Sequence, residues 1–193
     1  QITNFDELFE VCPQNIQMKL KDNLELRENP KYHMEENAFE HIKIVVNRLF
    51  DTGNVNLILA GLFHDICKKE SAILRKITDD MTDEKKAEME ERNKFFLCQD
   101  HEKKAVAFAL RNVRFIHSFD GADLGIILWI VDNHMRVKTI DEMSGKKKKE
   151  ITENQWFPLL EIFARADKML IPWNWEEDKL WSKAKKIDVL NTP

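Results

Sequence analysis

The chain has 193 residues, a length that predicts a single domain with room for short extensions. Hydrophobic residues make up 43% of the chain and charged residues 33%, so it can bury a core beneath a charged surface. The formal net charge of −4 excludes an overall basic field, and any contact with nucleic acid must therefore be local.

Apolar residues at helical spacing dominate the first half of the chain. Phe39, Ile42, Val46 and Leu49 follow one another at intervals of three and four, which predicts a helix that ends at the sequence DTGN. A second and more apolar helix is predicted from about residue 55 to residue 69. The charged stretch DDMTDEKKAEMEERNKFF is rich in helix formers and predicts a helix that faces solvent.

The second half of the chain continues the helical pattern. One helix is predicted from about residue 102 to 115, and a buried one over GADLGIILWIVDNHM that ends at His134. An amphipathic helix is predicted over NQWFPLLEIFARADKML, with Asn154 as its N-cap. The lysine run GKKKKE is typical of a solvated loop, or of a segment that holds an RNA backbone. Because strand-like alternation is nearly absent, we predict an all-α fold.

The last stretch, WNWEEDKLWSKAKKIDVL, contains Trp173, Trp175 and Trp181. Since aromatic side chains most often fill cores, we expect a C-terminal Trp-rich helical extension that packs on the core. A dimer contact or a wall of the substrate pocket is the alternative. The expected division is a helical lead-in over 1–30, a core over 31–171 and this extension over 172–193.

The cysteines and the N-terminal residues bear on the cellular compartment. Cys12, Cys67 and Cys98 are odd in number and form no Cys-x-x-Cys pair, which favours reduced thiols. The first residues, QITNFDELFEVC, lack the basic segment of a signal peptide, and no uncharged apolar run has the length of a membrane span. We therefore expect a cytoplasmic protein without a membrane partner.

Two aspartates lie where a lone carboxylate would be unfavourable. Asp65 and Asp167 are each embedded in an apolar predicted helix, so each needs a cationic partner, either a lysine or a metal ion. Imidazole and carboxylate together suit Mn, Fe, Co, Ni or Zn. His64 and Asp65 point about a quarter-turn apart on a helix, and they can serve one site only if another helix brings a ligand such as His41. The two oxygens of Asp65 could bridge two ions.

The order of these residues resembles the HD superfamily of metal-dependent phosphohydrolases, an all-helical family. LILAGLFHDICKK is similar to the signature helix of the family, although Cys67 stands where many members have glycine. The resemblance covers about residues 31 to 170. It implies a bundle with two divalent ions, which Mn, Ni, Co, Fe, Zn or Mg could supply. One ion would be held by His41, His64, Asp65 and Asp167, and the other by Asp65, His101 and His134.

A finer resemblance concerns the segment before the first ligand. PKYHMEENAFEHIKIVV and FFLCQDHEKKA look like segments of the HD domains of CCA-adding enzymes and of RNA-repair polynucleotide kinases, although Met34 replaces a frequent proline. Those domains remove 2′-phosphates and open 2′,3′-cyclic phosphates on nucleotides or RNA ends. The resemblance implies that His33 and Glu35 lie near the metal pocket.

The implied reaction is the attack of a metal-activated water on phosphorus. The resemblance assigns catalytic roles to Asp65, Lys68 and His33, where Lys68 would contact phosphate and His33 would position the substrate or protonate the leaving group. A solvated helix end and a surface histidine are the respective alternatives. The predicted substrate-binding residues are His33, Glu35, Lys68, Arg136 and Lys168. Arg165 is expected to be structural, and His117 matches no ligand position.

Several functions remain open alongside a phosphodiesterase or phosphatase of RNA ends. The same fold serves nucleotidases, deoxynucleoside triphosphatases and dinucleoside polyphosphate hydrolases, and a module that binds nucleotide without catalysis is a further alternative. A homodimer and a separate kinase or ligase partner are both compatible with the sequence. These 193 residues contain no GxxxxGK[ST] phosphate-binding loop.

Overall fold

The computed structural model describes residues 1–169, and the predicted Trp-rich extension with its three tryptophans lies outside them. The fold is all-α, as predicted. Its helices are α1 (Phe5–Val11), α2 (Gln14–Asp22), α3 (Ala38–Phe50), α4 (Val55–Phe63), α5 (Asp83–Arg92), α6 (His101–Arg111), α7 (Val113–Ile116), α8 (Leu124–Val137), α9 (Gly145–Thr152) and α10 (Phe157–Asp167). Two short strands, β1 (Ala72–Ile73) and β2 (Leu97–Cys98), pair with each other. None of the described helices is long and apolar enough to cross a membrane.

Helix α4 lies at the centre of the core, between α3 and α8. Its sequence VNLILAGLF carries no charge, and every residue after Val55 is buried. The helix starts at Asn54, whose side-chain oxygen accepts hydrogen bonds from the amides of Asn56 and Leu57. A Cβ on Gly61 would lie 2.8 Å from Leu49 Cδ1 on α3, so the glycine allows the two helices to approach closely. The second predicted helix is therefore the innermost element of the described fold.

The apolar helix ends earlier than the sequence predicted. Its α-helical part stops at Phe63 instead of continuing to residue 69. The ring Nδ1 of His64 lies 2.8 Å from the carbonyl of Gly61, which is the carbonyl that the next amide would use in a continued helix. Tighter turns follow, with Lys68 N bonded to Asp65 O at 2.9 Å. The chain thus turns at the His–Asp pair.

Three other predicted features differ from the structure. Helix α8 continues past His134 to Val137. Helix α10 begins after Trp156, whose amide donates to Asn154 Oδ1 at 2.8 Å, so Asn154 organises the preceding turn and is not the N-cap. The lysine run forms α9 instead of a loop, since lysine is a good helix former when it faces solvent.

The charged helix α5 lies between the two strands of a short ribbon that leads the chain to α6. Helix α5 buries none of its residues and is capped by Thr82, which confirms a solvent-facing helix. Strands β1 and β2 pair antiparallel, with Ala72 opposite Cys98 and Ile73 opposite Leu97. The sequence did not predict them, because two residues are too short for an alternating pattern. The ribbon ends just before His101, the first residue of α6.

Candidate metal centre

The six predicted metal ligands meet in one buried cluster. They come from five elements, because α3, the turn after α4, the start of α6, the last turn of α8 and the end of α10 converge. Each of the six residues is at most 4% exposed. They are His41, His64, Asp65, His101, His134 and Asp167. The convergence predicted from the sequence is therefore present in the fold.

Four side chains form the first group of donors. His41 Nε2 lies 2.8 Å from Asp167 Oδ1 and 3.3 Å from His64 Nε2. Asp65 Oδ2 lies 3.5 Å from His41 Nε2 and 3.4 Å from His64 Nε2. Neighbouring ligands of a transition metal are separated by about 3.0 Å in an octahedral site and about 3.4 Å in a tetrahedral one. The donor atoms of this group therefore have the spacing of a coordination sphere.

The second group uses the other oxygen of the same aspartate. Asp65 Oδ1 lies 3.0 Å from His101 Nε2 and 3.4 Å from His134 Nε2. The two imidazole nitrogens are 3.3 Å apart. Each carboxylate oxygen of Asp65 thus faces a different pair of histidines, which is the geometry of a bridging ligand.

Backbone carbonyls determine which nitrogen of two histidines faces the cluster. His64 Nδ1 lies 2.8 Å from Gly61 O, and His134 Nδ1 lies 2.7 Å from Val131 O. Because a carbonyl only accepts, Nδ1 must carry the hydrogen, and the Nε2 of a neutral ring then presents a lone pair. Both lone pairs point towards oxygens of Asp65. A bound cation removes that repulsion, so the donor set fits a metal.

Glu35 gives the third ring its orientation. Its Oε1 lies 2.6 Å from the Nδ1 atoms of both His33 and His41. Burial alone would raise the pKa of Glu35, but the hydrogen bonds from the two imidazoles hold that pKa well below its usual range. A carboxylate behind a metal-binding histidine increases its basicity. The Glu35 side chain is only 1% exposed and contacts the His41 ring, which is the place of a positioning residue, and its predicted contact with substrate stays a prediction.

Lys68 lies at the solvent side of the cluster. Its Nζ is 3.3 Å from Asp65 Oδ2 and is paired with Glu28, and its side chain is 14% exposed. Burial alone would lower the pKa of Lys68, but Asp65 and Glu28 keep the pKa above its usual value. The other Glu28 oxygen lies 3.5 Å from His33 Nε2. Glu28 was not predictable from the sequence, because its contact with Lys68 spans 40 residues of chain.

A second lysine, which was not predicted from the sequence, reaches the cluster from the C-cap of α8. Lys138 Nζ lies 2.7 Å from Asp167 Oδ2. Burial alone would raise the pKa of Asp167, but Lys138 and the neighbouring imidazoles hold the pKa well below its usual range. Lys138 follows His134 by four residues, so the two share one face of a helix. That spacing was a signal available in the sequence.

The remaining predicted site residues lie on the surface. Arg136 is exposed, and its guanidinium is 3.4 Å from Asn133 Oδ1. Lys168 is exposed at the end of α10, where its carbonyl accepts a hydrogen bond from Arg48 at 3.1 Å. Their contacts with phosphate stay predictions. His117 is also exposed and belongs to none of the candidate metal groups among the described residues.

Comparisons of the chain with models of protein families, with curated proteins and with solved structures find no match. Any function assigned to the chain therefore depends on its residues and on their geometry. Buried His, Asp and Glu groups lie within ligand distance of one another and could hold a metal ion.

Proposed function

We propose that this chain is an HD-type metal-dependent phosphohydrolase that acts on phosphate esters of nucleotides or RNA ends. The Asp65 carboxylate carries the proposal, because its two oxygens lie 3.0 Å from His101 Nε2 and 3.4 Å from His64 Nε2. A carboxylate shared by two histidine groups is the arrangement that holds a pair of ions in many hydrolases of phosphate esters. The order of ligands in the HD family supports the same assignment.

The balance of charge in the cluster supports a phosphate substrate. Four carboxylates and two lysines in contact with them leave two negative charges in excess when the imidazoles are neutral. These groups are Glu28, Glu35, Asp65, Asp167, Lys68 and Lys138. One divalent ion would neutralise that excess, and two would reverse it to a net charge of about +2. A centre of that charge complements a phosphate dianion.

The protein side chains have separate parts in the proposed reaction. Bound divalent ions would supply Lewis acidity, which lowers the pKa of water and neutralises charge on a phosphate. Asp65 and the histidines position that charge, and the partly exposed Lys68 ammonium holds a phosphate oxygen. His33 is 17% exposed, and its two nitrogens face Glu35 at 2.6 Å and Glu28 at 3.5 Å. The partly exposed His33 ring is the group that we propose to protonate the leaving oxygen.

We assign the substrate to the class of 2′,3′-cyclic phosphates and 2′-phosphates. The resemblance of the segment around His33 and Glu35 to RNA-end HD domains favours this class over the other substrates of the fold. Nucleotidase, deoxynucleoside triphosphatase and dinucleoside polyphosphate hydrolase activities are the competing outcomes of the experiment below. The remaining competing outcome is a module that binds nucleotide without catalysis.

The test measures metal content and hydrolysis on the same preparations. We expect the purified chain to bind a transition metal and to hydrolyse a 2′,3′-cyclic nucleotide or a 2′-nucleotide with Mn, Ni, Co, Mg or Zn. The Asp65→Ala variant should lose both properties, since it removes a ligand of both groups. His117→Ala, which changes an exposed histidine outside the cluster, is the matched control and should keep them.

The substrate panel separates the alternatives. It contains 2′,3′-cyclic nucleotides, 2′- and 3′-nucleotides, deoxynucleoside triphosphates and dinucleoside polyphosphates. A dominant rate on triphosphates would overturn the RNA-end assignment while retaining a hydrolase. A metal-loaded protein that hydrolyses nothing on the panel would overturn the enzymatic proposal in favour of the binding module. Full activity in Asp65→Ala would overturn the bridging role of Asp65.

A further inference from the structure

We propose that two exposed aromatic rings at the mouth of the cluster form a stacking surface for the bases of a single-stranded nucleic acid. The rings belong to Tyr32 and Phe96, and each has a lysine above its face. We call Lys31, Tyr32, Lys69 and Phe96 the aromatic rim. This inference rests on the proposed function only for the identity of the reaction, because its test measures binding.

The first half of the rim lies directly beside His33. Tyr32 is 58% exposed, and Lys31 Nζ lies 5.3 Å from the centre of its ring. The amides of Tyr32 and His33 both donate to the carbonyl of Asn29, at 2.9 Å and 3.1 Å, so this turn is held by its own backbone. Tyr32 therefore presents an aromatic ring, with the Lys31 ammonium near it, at the residue next to His33.

The second half lies directly beside Lys68. Lys69 Nζ is 5.8 Å from the centre of the Phe96 ring, which is 38% exposed. Phe96 comes just before strand β2, and the side chain of Arg75 braces this region by donating to the carbonyl of Phe95 at 2.9 Å. Lys69 also lies 3.3 Å from Glu25, which limits its positive charge without covering the ring.

One carboxylate connects the two halves. Glu28 is paired with Lys68 and lies 3.5 Å from His33 Nε2. Consecutive Cα atoms are about 3.8 Å apart, so Tyr32 and Lys69 each lie one residue from a group that contacts Glu28. Each half of the aromatic rim therefore contains a residue that is adjacent in the chain to a group in contact with Glu28.

The chemistry of the rim fits unpaired bases better than the alternatives. Bases stack on exposed aromatic rings with little regard to sequence, and neighbouring lysines hold the backbone phosphates. A duplex keeps its bases stacked on one another and cannot use the rings. Exposed apolar residues scattered singly are ordinary on a protein surface. Two exposed rings that each have a lysine nearby, next in the chain to residues that meet at Glu28, are a more specific arrangement.

The test is the affinity of the metal-loaded full chain for a fluorescently labelled single-stranded RNA hexamer that carries a 3′-phosphate. Fluorescence anisotropy gives the Kd. Tyr32→Ala and Phe96→Ala should each weaken binding by about tenfold, within a range of about fivefold to 150-fold. Tyr32→Phe keeps the ring and should stay within about twofold of wild type. A duplex of the same sequence should compete poorly.

Two exposed aliphatic residues provide matched controls. Met34 is 69% exposed in the same segment as Tyr32, and Leu74 is 59% exposed next to strand β1. Met34→Ala and Leu74→Ala should stay within about twofold of wild type if aromatic stacking is the cause. Thermal unfolding of every variant establishes that the fold is retained.

The outcomes distinguish this inference from the proposed function. Equal affinity of the ring variants and wild type, equal losses in the aliphatic controls, or a wild type that does not bind the hexamer would each overturn the aromatic rim. Ring-dependent binding by a protein that hydrolyses no phosphate ester would support the rim and overturn the hydrolase. If the protein hydrolyses mononucleotides but binds the hexamer equally well with and without the two rings, the hydrolase would be supported and the aromatic rim overturned.

Discussion

At the scale of single residues, a substitution of Glu35 tests whether its hydrogen bond to His41 strengthens metal binding. The Glu35 carboxylate contacts His41 Nδ1 at 2.6 Å, whereas the other ring nitrogen, Nε2, faces the donor group. Glu35→Gln keeps the shape of the side chain but removes the charge that makes the imidazole a stronger ligand. Loss of such a partner weakens metal affinity by about 10- to 100-fold. Competition with a chromogenic chelator measures the change.

The neighbouring glutamate provides the control for that experiment. Glu36 is exposed, and its carbonyl accepts a hydrogen bond from the Glu28 amide at 3.1 Å. Glu36→Gln retains this backbone contact, so it should leave the metal affinity unchanged. If both variants bind metal equally well, the Glu35 carboxylate has no role in strengthening His41 as a ligand.

The raised pKa of His41 also predicts how the stability of the metal-free protein depends on pH. Burial alone would lower its pKa, but Asp167 and Glu35 raise the pKa to about 9 without a metal. Since the unfolded value is about 6.5, the protonated ring stabilises the fold fully below about pH 6.5, and this contribution is lost as the pH rises through 9.

The measurement is thermal unfolding of chelator-treated protein between pH 6.5 and 9. The Tm should fall over this range in wild type and should fall less in His41→Gln, which cannot be protonated. Metal affinity should change in the opposite direction, because protons and metal compete for the same nitrogen. A His117→Gln control should behave as wild type, and a Tm independent of pH in wild type would contradict the assignment.

At the scale of elements, Gly61 determines how closely α3 and α4 approach. A Cβ there would lie 2.8 Å from Leu49 Cδ1 and 3.3 Å from Val46 Cγ2. Gly61→Val adds further methyl groups to a packed contact and should destabilise the protein by about 2–3 kcal/mol in urea unfolding. Gly145→Val is the control, because a Cβ at Gly145 meets nothing within 4 Å. Equal stabilities would show that the two helices can separate without cost.

The helices were predictable from the sequence because they produce local patterns, and the candidate metal ligands because the order of these residues resembles that of a known family. The spacing of apolar residues identified α3 and α4, and the positions of His41 and Asp65 placed ligands at helix faces and ends. The end of α4 was not predictable, because a contact of the His64 ring with Gly61 O competes with the backbone. Glu28 was missed for a related reason, since only tertiary structure brings it to Lys68.

The basic helix α9 is a second case in which tertiary contacts could not be predicted from the sequence. Its lysines were predicted in a loop, yet the helix separates them into different roles. Lys148 is paired with Asp141 at 2.8 Å, and Lys149 lies 3.5 Å from Glu153. Nearby acids therefore reduce the charge that the run presents. Ion pairs of this kind depend on which residues the fold brings together, and a count of charges along the sequence does not give that information.

At the scale of the whole molecule, metal binding should stabilise the fold far from the site. The ligands come from α3, the turn after α4, α6, α8 and α10, so bound ions would connect five separate elements. A ligand at about a thousand times its Kd stabilises the native state by about 4 kcal/mol. For a chain of this size, each kcal/mol corresponds to about 2–4 °C in Tm. Chelation should therefore lower the Tm by about 10 °C.

Two variants distinguish stabilisation by bound metal from a general effect of the chelator on the protein. Asp65→Ala removes a ligand from both donor groups, so its Tm should change little when metal is added or removed. His117→Ala lies outside the cluster and should show the full shift of wild type. The shift should also grow with the concentration of free metal, because stabilisation by a ligand follows mass action. A Tm of wild type that is indifferent to chelator and to added metal would mean that the five elements are held together by the core and the ion pairs alone.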